Sequence, residues 1–196
     1  MTKGGRPREF KDAAVIDAAM EAFWMTGYEG CSTEELCKKT GLGKGSLYNA
    51  FGSKHDLYEQ VLQRYHRQGI EEQVEILRRP VSVKERLREL LDWAVKEDFS
   101  ESGRRGCLLI NAAVERAGVD PMVEKVAVRH IELLEKELCL LMEQGIGSEE
   151  IIAAGRTAKE LANVVLSCYY GLRVLNSATR NREMARTIVE GTLAAL

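Results

Sequence analysis

The sequence predicts an all-α fold, a three-helix head carrying a helix-turn-helix followed by a longer helical body. Three observations point there. No segment alternates polar and apolar residues with period two, the signature of a half-buried strand. Apolar residues instead recur at three- and four-residue spacing along most of the chain. Capping residues such as Ser32, Ser53, Ser82 and Asp120, with glycines at 27, 41 and 118, punctuate those stripes where helices start and stop. The head is expected over residues 1–52 and the body over 53–196.

The arm TKGGRPREF is basic and Gly-rich. It reads either as an untidy terminus or as an arm whose Arg6 and Arg8 reach phosphates or a minor groove. A first helix is predicted over about Lys11–Thr26 from the stripe Val15, Ile16, Ala19, Ala22 and Phe23, with Gly27 ending it. Trp24 and Tyr28 read as core or rim of the head. Next comes STEELCKKTGLGKGSLYNAF, residues 32–51. Ser32 is a good N-cap and Glu35 completes a capping box. Gly41 suits the left-handed residue that ends a helix. Leu42 plugs the turn, and Lys44–Ala50 form a second short helix carrying Ser46, Tyr48 and Asn49. From Leu36 through His55 there is no Asp or Glu, whereas Lys38, Lys39, Lys44 and Lys54 are all present. An acid-free window in a chain that is 30% charged predicts a surface that meets phosphate. In a helix-turn-helix the second helix enters the DNA major groove.

Ser53 and Asp56 open a long helix through about Leu77, ended by Pro80, and Ser82 with Glu85 opens another over Val83–Lys96. Glu97–Gly103 reads as a loop. Further helices are predicted over about Gly106–Arg116, from Pro121 to about Gln144 behind the cap Asp120, near Glu149–Ala154, over Ala158–Asn176 and over Arg182–Leu196. The three histidines, His55, His66 and His130, sit among charged neighbours and read as solvated.

The run TGLGKGSLYNAFGSKHDLYEQVL resembles the DNA-binding signature of TetR-type transcriptional regulators. The matching features are the G-[LV]-x-K-G-[ST]-[LI]-Y core, the Phe closing the recognition helix, and G-S-K-x-x-L opening the next. The sequence departs from the family at Gly43, where Ser or Thr is common, and at Ala50, where an aromatic or His is common. The resemblance implies double-stranded operator DNA as partner, contacted by Arg8, Thr33, Lys44, Gly45, Ser46, Tyr48, Asn49 and Lys54. Among these, Lys54 and Tyr48 are expected on phosphates, and Lys44, Ser46 and Asn49 at base edges. It also implies a homodimer through the last two long helices, with Val165, Tyr169, Leu172, Met184 and Ile188 at the interface. One short recognition helix reads too few bases alone, which asks for the same dimer. The resemblance further implies a body that binds an unidentified small-molecule inducer. Candidate lining residues are Trp93, Cys107, Leu109, Ala112, Tyr169 and Tyr170, although ordinary core packing explains each of them as well.

Composition narrows the class. Formal net charge is −2 and the pI near 6.0, but residues 1–54 carry eight Lys/Arg against seven Asp/Glu, a weakly basic head on a mildly acidic body. The longest uncharged run, Leu161–Leu172, is twelve residues, shorter than the roughly 18–20 of a membrane helix. No targeting segment is visible. Five cysteines without CxxC or zinc-finger spacing point to a reducing cytoplasm. HExxH, GxSxG and GxxxxGK[ST] are missing, so an enzyme or metal-binding bundle is the weaker alternative, and no cofactor is expected. Cys107 follows Arg104, Arg105 and Gly106 at a predicted helix N-terminus, where cations and the helix dipole favour a thiolate. Its Gly-Cys-Leu setting resembles a TetR subgroup, some members of which sense electrophiles or oxidants. A small packing residue is the alternative. The resulting expectation is a repressor released by an inducer, with a Cys107-based sensor or an activator as alternatives.

Overall fold

The computed structural model describes residues 6–100 and 106–196, with side chains from residue 12 onward. Among these residues the chain is helical and without strands. In order run α1 (Arg6–Gly30), α2 (Thr33–Thr40), α3 (Lys44–Phe51), α4 (Lys54–Leu77), α5 (Val83–Asp98), α6 (Leu108–Arg116), α7 (Pro121–Gly147), α8 (Ala158–Thr179) and α9 (Arg182–Ala194).

Local chemistry accounts for most of these boundaries. Ser53 and Asp56 satisfy each other's backbone N–H groups in a full capping box, and Thr157 with Glu160 makes another. Asp120 accepts from the N–H groups of Met122 and Val123, with Pro121 in the first turn. At Ser32 only half of the expected box is present: its hydroxyl accepts from Glu35 N–H at 3.1 Å. Gly41 takes φ 70°, and its N–H bonds the Cys37 carbonyl. Gly27 breaks α1 at φ 74°, but the helix resumes to Gly30 instead of ending there.

Two expectations fail for packing reasons. The short helix predicted near Glu149–Ala154 is an irregular turn, with Glu149 and Ala154 both at positive φ. There Ile151 N–H bonds Gly145 O and Ile152 N–H bonds Leu196 O, so the segment is held by neighbours instead of by its own ladder. His66 and His130 are not solvated: both are buried, and their Nδ1 atoms lie 3.1 Å apart between α4 and α7.

The apolar side chains form two clusters. One joins α1, α2, α3 and the first half of α4 to Cys107, Leu108, Leu109 and Ala112 of the α6 segment and Val123 and Val126 of α7. The other joins α5, α8 and α9 with the far ends of α4 and α7. The head is therefore seated on α6 and the start of α7 as well as on α4. Phe23, Leu36, Leu47, Leu57 and Tyr58 lie at its centre, each at most 1% exposed, which at about 1.5–3 kcal/mol per large side chain secures so small a domain.

Candidate nucleic-acid interface

Eight residues make α3, and only Leu47 and Phe51 are buried. Those two pin the helix to the head, leaving Lys44, Gly45, Ser46, Asn49 and Ala50 exposed on its outer face. Tyr48 is half-buried, with its hydroxyl 2.7 Å from Thr33 Oγ1, a bond that ties α3 to the first turn of α2. Lys54 opens α4 with its Nζ 4.4 Å from the centre of the Tyr28 ring, so a half-buried cation borders α3. The structure thus places Thr33, Lys44, Gly45, Ser46, Tyr48, Asn49 and Lys54 on the head's helix-turn-helix and the turn after it. The Arg8 side chain lies outside the described residues.

A polar cluster that the sequence reading missed anchors this surface to the body. Glu115, near the end of α6, accepts from the backbone N–H groups of Tyr28 and Glu29 at 3.0 and 2.9 Å. These donors are freed by the break at Gly27, where a Cβ would meet the same carboxylate at 2.9 Å. Arg116 pairs with Glu29 and with Asp120, and its guanidinium lies 4.3 Å from the Tyr28 ring centre. Asp120 also accepts from His55 at 3.0 Å while capping α7. Burial works against the Asp120 charge, but hydrogen bonds from His55, the Val123 N–H and Arg116 hold its carboxyl below the usual range. One cluster therefore joins the end of α1, the start of α4, the end of α6 and the start of α7. The Gly27 break was its only trace in the sequence.

The proposed ligand residues do not converge on one pocket. Cys107 and Tyr170 line a cavity of about 200 Å³ with Ile110, Arg173 and Val174. Trp93 lines a separate cleft of about 260 Å³. Leu109 and Ala112 are buried in the cluster shared with the head, and Tyr169 is buried in the body core, its hydroxyl accepting from Gln73 Nε2 at 3.0 Å. Behind both cavities Arg173 donates to Asp98 Oδ1 from Nε and Nη2 at 3.1 and 2.9 Å, and Asn176 donates to Oδ2. Burial opposes the Arg173 charge, and the two hydrogen bonds to the Asp98 carboxylate offset that cost, so the guanidinium stays ionised. Cys107 is 3% exposed and stands at the N-cap of α6 without a side-chain capping bond. Arg104 and Arg105 lie outside the described residues, and Arg173 lines the same cavity as Cys107. The Tyr170 hydroxyl is enclosed without a hydrogen-bond partner among the described residues.

The interface expectation needs correction on α8. Val165, Tyr169 and Leu172 are at most 1% exposed within a single chain and belong to its own core. The outward face of α8 instead carries Val164, Val174 and Leu175, beside exposed Met184 and half-buried Ile188 of α9. Among the described residues no helix is long and apolar enough to cross a membrane, and no group of three metal-ligating side chains comes together.

An exposed polar recognition helix on a three-helix head, seated on an all-helical body, defines a DNA-binding transcriptional regulator of the helix-turn-helix class. The chain belongs to the TetR family. Residues 15–61 match the family described as bacterial regulatory proteins, tetR family, and residues 83–190 match the tetracyclin repressor-like C-terminal domain. It is similar to the uncharacterized HTH-type transcriptional regulator YezE of Bacillus subtilis, 33% identical over 67% of this chain and 68% of that protein. It is 32% identical to the HTH-type transcriptional repressor BdcR of Escherichia coli over 67% of this chain and 65% of BdcR. Among solved structures, a cysteine mutant of the TetR-family regulator CifR complexed with 26-base-pair operator DNA superposes with TM-score 0.81. Its identity is 30%, over 92% of this chain and 94% of that one.

Proposed function

We propose that this protein is a cytoplasmic repressor that binds a palindromic operator as a homodimer and is released by a small molecule. The observation that carries the reading is α3, where every residue but Leu47, Tyr48 and Phe51 is exposed and none is acidic. Lys54 and Tyr48 would hold phosphates, while Lys44, Ser46 and Asn49 would meet base edges, with Thr33, Gly45 and Arg8 completing the contact. The repressor role is supported by the likeness to BdcR, and the operator complex by the likeness to CifR. Residues 1–52 serve as the DNA-binding domain and 53–196 as the effector and dimerisation domain. The dimer uses the outward apolar face of α8 and α9, at Val164, Val174, Leu175, Met184 and Ile188, because the inner face is already occupied.

Release would pass through α6. Its N-terminus borders the cavity at Cys107 and Tyr170, and its C-terminus holds the end of α1 through Glu115 and Arg116. A displacement of this helix therefore reaches both the helix before the reading head and Lys54. A second reading is favoured by the placement of Cys107 on that cavity within its Gly-Cys-Leu segment. Its thiolate would add to an electron-poor alkene, forming a carbon–sulfur bond while the adjacent carbon takes a proton from solvent. The bulky product at the start of α6 would then drive release.

Selection of bound sequences from a random DNA pool tests the main reading. The expected result is an inverted repeat whose half-sites are one helical turn apart or more, about 34–36 Å for adjacent grooves, bound with a steep salt dependence. Recovery of no consensus, or of a single half-site bound by monomers, would overturn it. For Cys107, limited alkylation followed by mass spectrometry should label it before the other four cysteines, and Cys107→Ser should keep operator binding but lose the response to electrophiles. Slow, unselective labelling leaves Cys107 as a packing residue.

A further inference from the structure

We propose that the cleft between head and body is a binding site for a small organic cation carrying an aromatic or quaternary ammonium group. The cleft, about 260 Å³, is formed by Met20 and Trp24 of α1, Tyr65, Gln68, Gly69 and Glu72 of α4, Trp93 and Glu97 of α5, and Arg173 of α8. The chain has two tryptophans, and both face this space. Trp24 and Tyr65 meet edge to face, with ring centroids 4.9 Å apart. Trp93 is fixed from its edge by a hydrogen bond from Nε1 to Glu72 at 2.9 Å. Three aromatic side chains supply the π surface that attracts a cation most strongly when it is partly desolvated.

Charge selects the class of ligand. Glu72 and Glu97 line the cleft and are exposed. The single lining cation, Arg173, has its charge met by Asp98 through two hydrogen bonds to one carboxylate oxygen. Arg173 and Asp98 cancel, and even with Arg180, which donates to the Asp98 carbonyl, the two lining glutamates leave the surroundings net negative, so an anion would be repelled and a cation drawn in. Arg173 already lies 5.4 Å from the centre of the Trp93 ring, a cation–π contact made by the protein itself in this cleft. The volume admits a ligand of one ring with a small charged head.

The position gives such a ligand a consequence. Met20 and Trp24 belong to the head, whereas Trp93 and Arg173 belong to the body, so a ligand between them fixes or shifts the angle at which the head is held. Only this consequence rests on the effector reading above; binding itself does not. In that reading the cleft, and not only the cavity beside Cys107, receives the releasing molecule.

Because both tryptophans line the site, their emission reports occupancy directly. The full-length protein is titrated with benzyltrimethylammonium, with benzoate and with benzyl alcohol, and calorimetry is run alongside. The expected result is a saturable change with the cation alone. Glu72→Gln and Glu97→Gln should each weaken it by about 3–30-fold, the span expected for losing one partly desolvated contact to a cation. Both variants should keep the wild-type circular dichroism and melting temperature. Equal binding of benzoate or benzyl alcohol overturns the proposal, as do unchanged affinity in both variants and the absence of a saturable signal at millimolar cation. An operator gel shift on the same samples separates the two readings. Cation binding without release leaves the site standing and removes its effector role, while release by some other small molecule without cation binding does the reverse.

Discussion

Helices α3 and α8 differ as targets of sequence reading: the exposed face of α3 was legible, and the partner face of α8 was not. In α3 two of eight residues are buried, so the remaining polar side chains have only one way to face. In α8 the stretch Leu161–Leu172 is apolar around most of its circumference, and eight of the helix's 22 residues are buried within one chain. Such a helix presents two apolar faces, one for its own core and one for something else. Periodicity cannot rank them, because the hydrophobic effect depends on area and not on direction. The face expected at the interface is the one the body had already covered.

Substitution by glutamate on the two faces of α8 sharpens this most. Val165→Glu should cost more than about 4 kcal/mol by burying an unpaired carboxylate, and the protein should be unfolded or insoluble in a thermal melt. Leu175→Glu, on the outer face, should keep the wild-type circular dichroism yet sediment as a monomer and lose operator binding. A folded Val165→Glu protein, or a Leu175→Glu protein that stays dimeric, would break the distinction between the faces.

The interior beneath α7 should answer to pH. Burial, then the neighbouring His66 and Arg173, push the His130 pKa down to about 3, and burial with Arg129 and Arg67 lowers that of His66. In the unfolded chain both return toward about 6.5. Below that value the unfolded state binds protons that the folded state refuses, so stability is complete above about pH 6.5 and falls as pH drops toward 3. For His130 alone the slope is at most about 1.4 kcal/mol per pH unit. Melting temperatures from pH 7 to 4.5 should decline less in His130→Asn than in wild type. Parallel curves would mean the pair does not govern acid sensitivity.

Between interior and surface lies the Glu115 anchor. Glu115→Ala removes two hydrogen bonds to a charged acceptor and should destabilise the head by about 1–3 kcal/mol. Operator affinity should fall with the salt slope unchanged, since no phosphate contact is lost. A reduced slope would place Glu115 on the DNA side of the mechanism.

The smallest effects belong to α3 and its neighbour. Lys54→Ala should weaken binding to all sequences alike and reduce the salt slope by about one contact. Asn49→Ala should relax preference at particular base pairs by about 1–3 kcal/mol with fold and slope intact. If both variants lower affinity without changing preference, α3 is not the reading element.

What the sequence by itself determined is local. The caps at Ser53 and Asp120, the left-handed Gly41 and the acid-free window from Leu36 to His55 each act within a few residues of chain. Their energetics are complete before the chain folds back, which is why the nine helices found among the described residues, and the polar outer face of α3, were legible. The one predicted helix that does not form, Glu149–Ala154, misled because its backbone partners are Gly145 and Leu196. Tertiary structure alone decided which apolar face of α8 is core and that His66 and His130 meet across 64 positions of sequence. It also set Glu115 to hold backbone N–H groups 86 and 87 positions away, and brought Trp24 and Trp93 to one cleft. Each of these depends on the packing of helices distant in sequence, and a side chain's spacing along its own helix carries no information about which neighbour it will find.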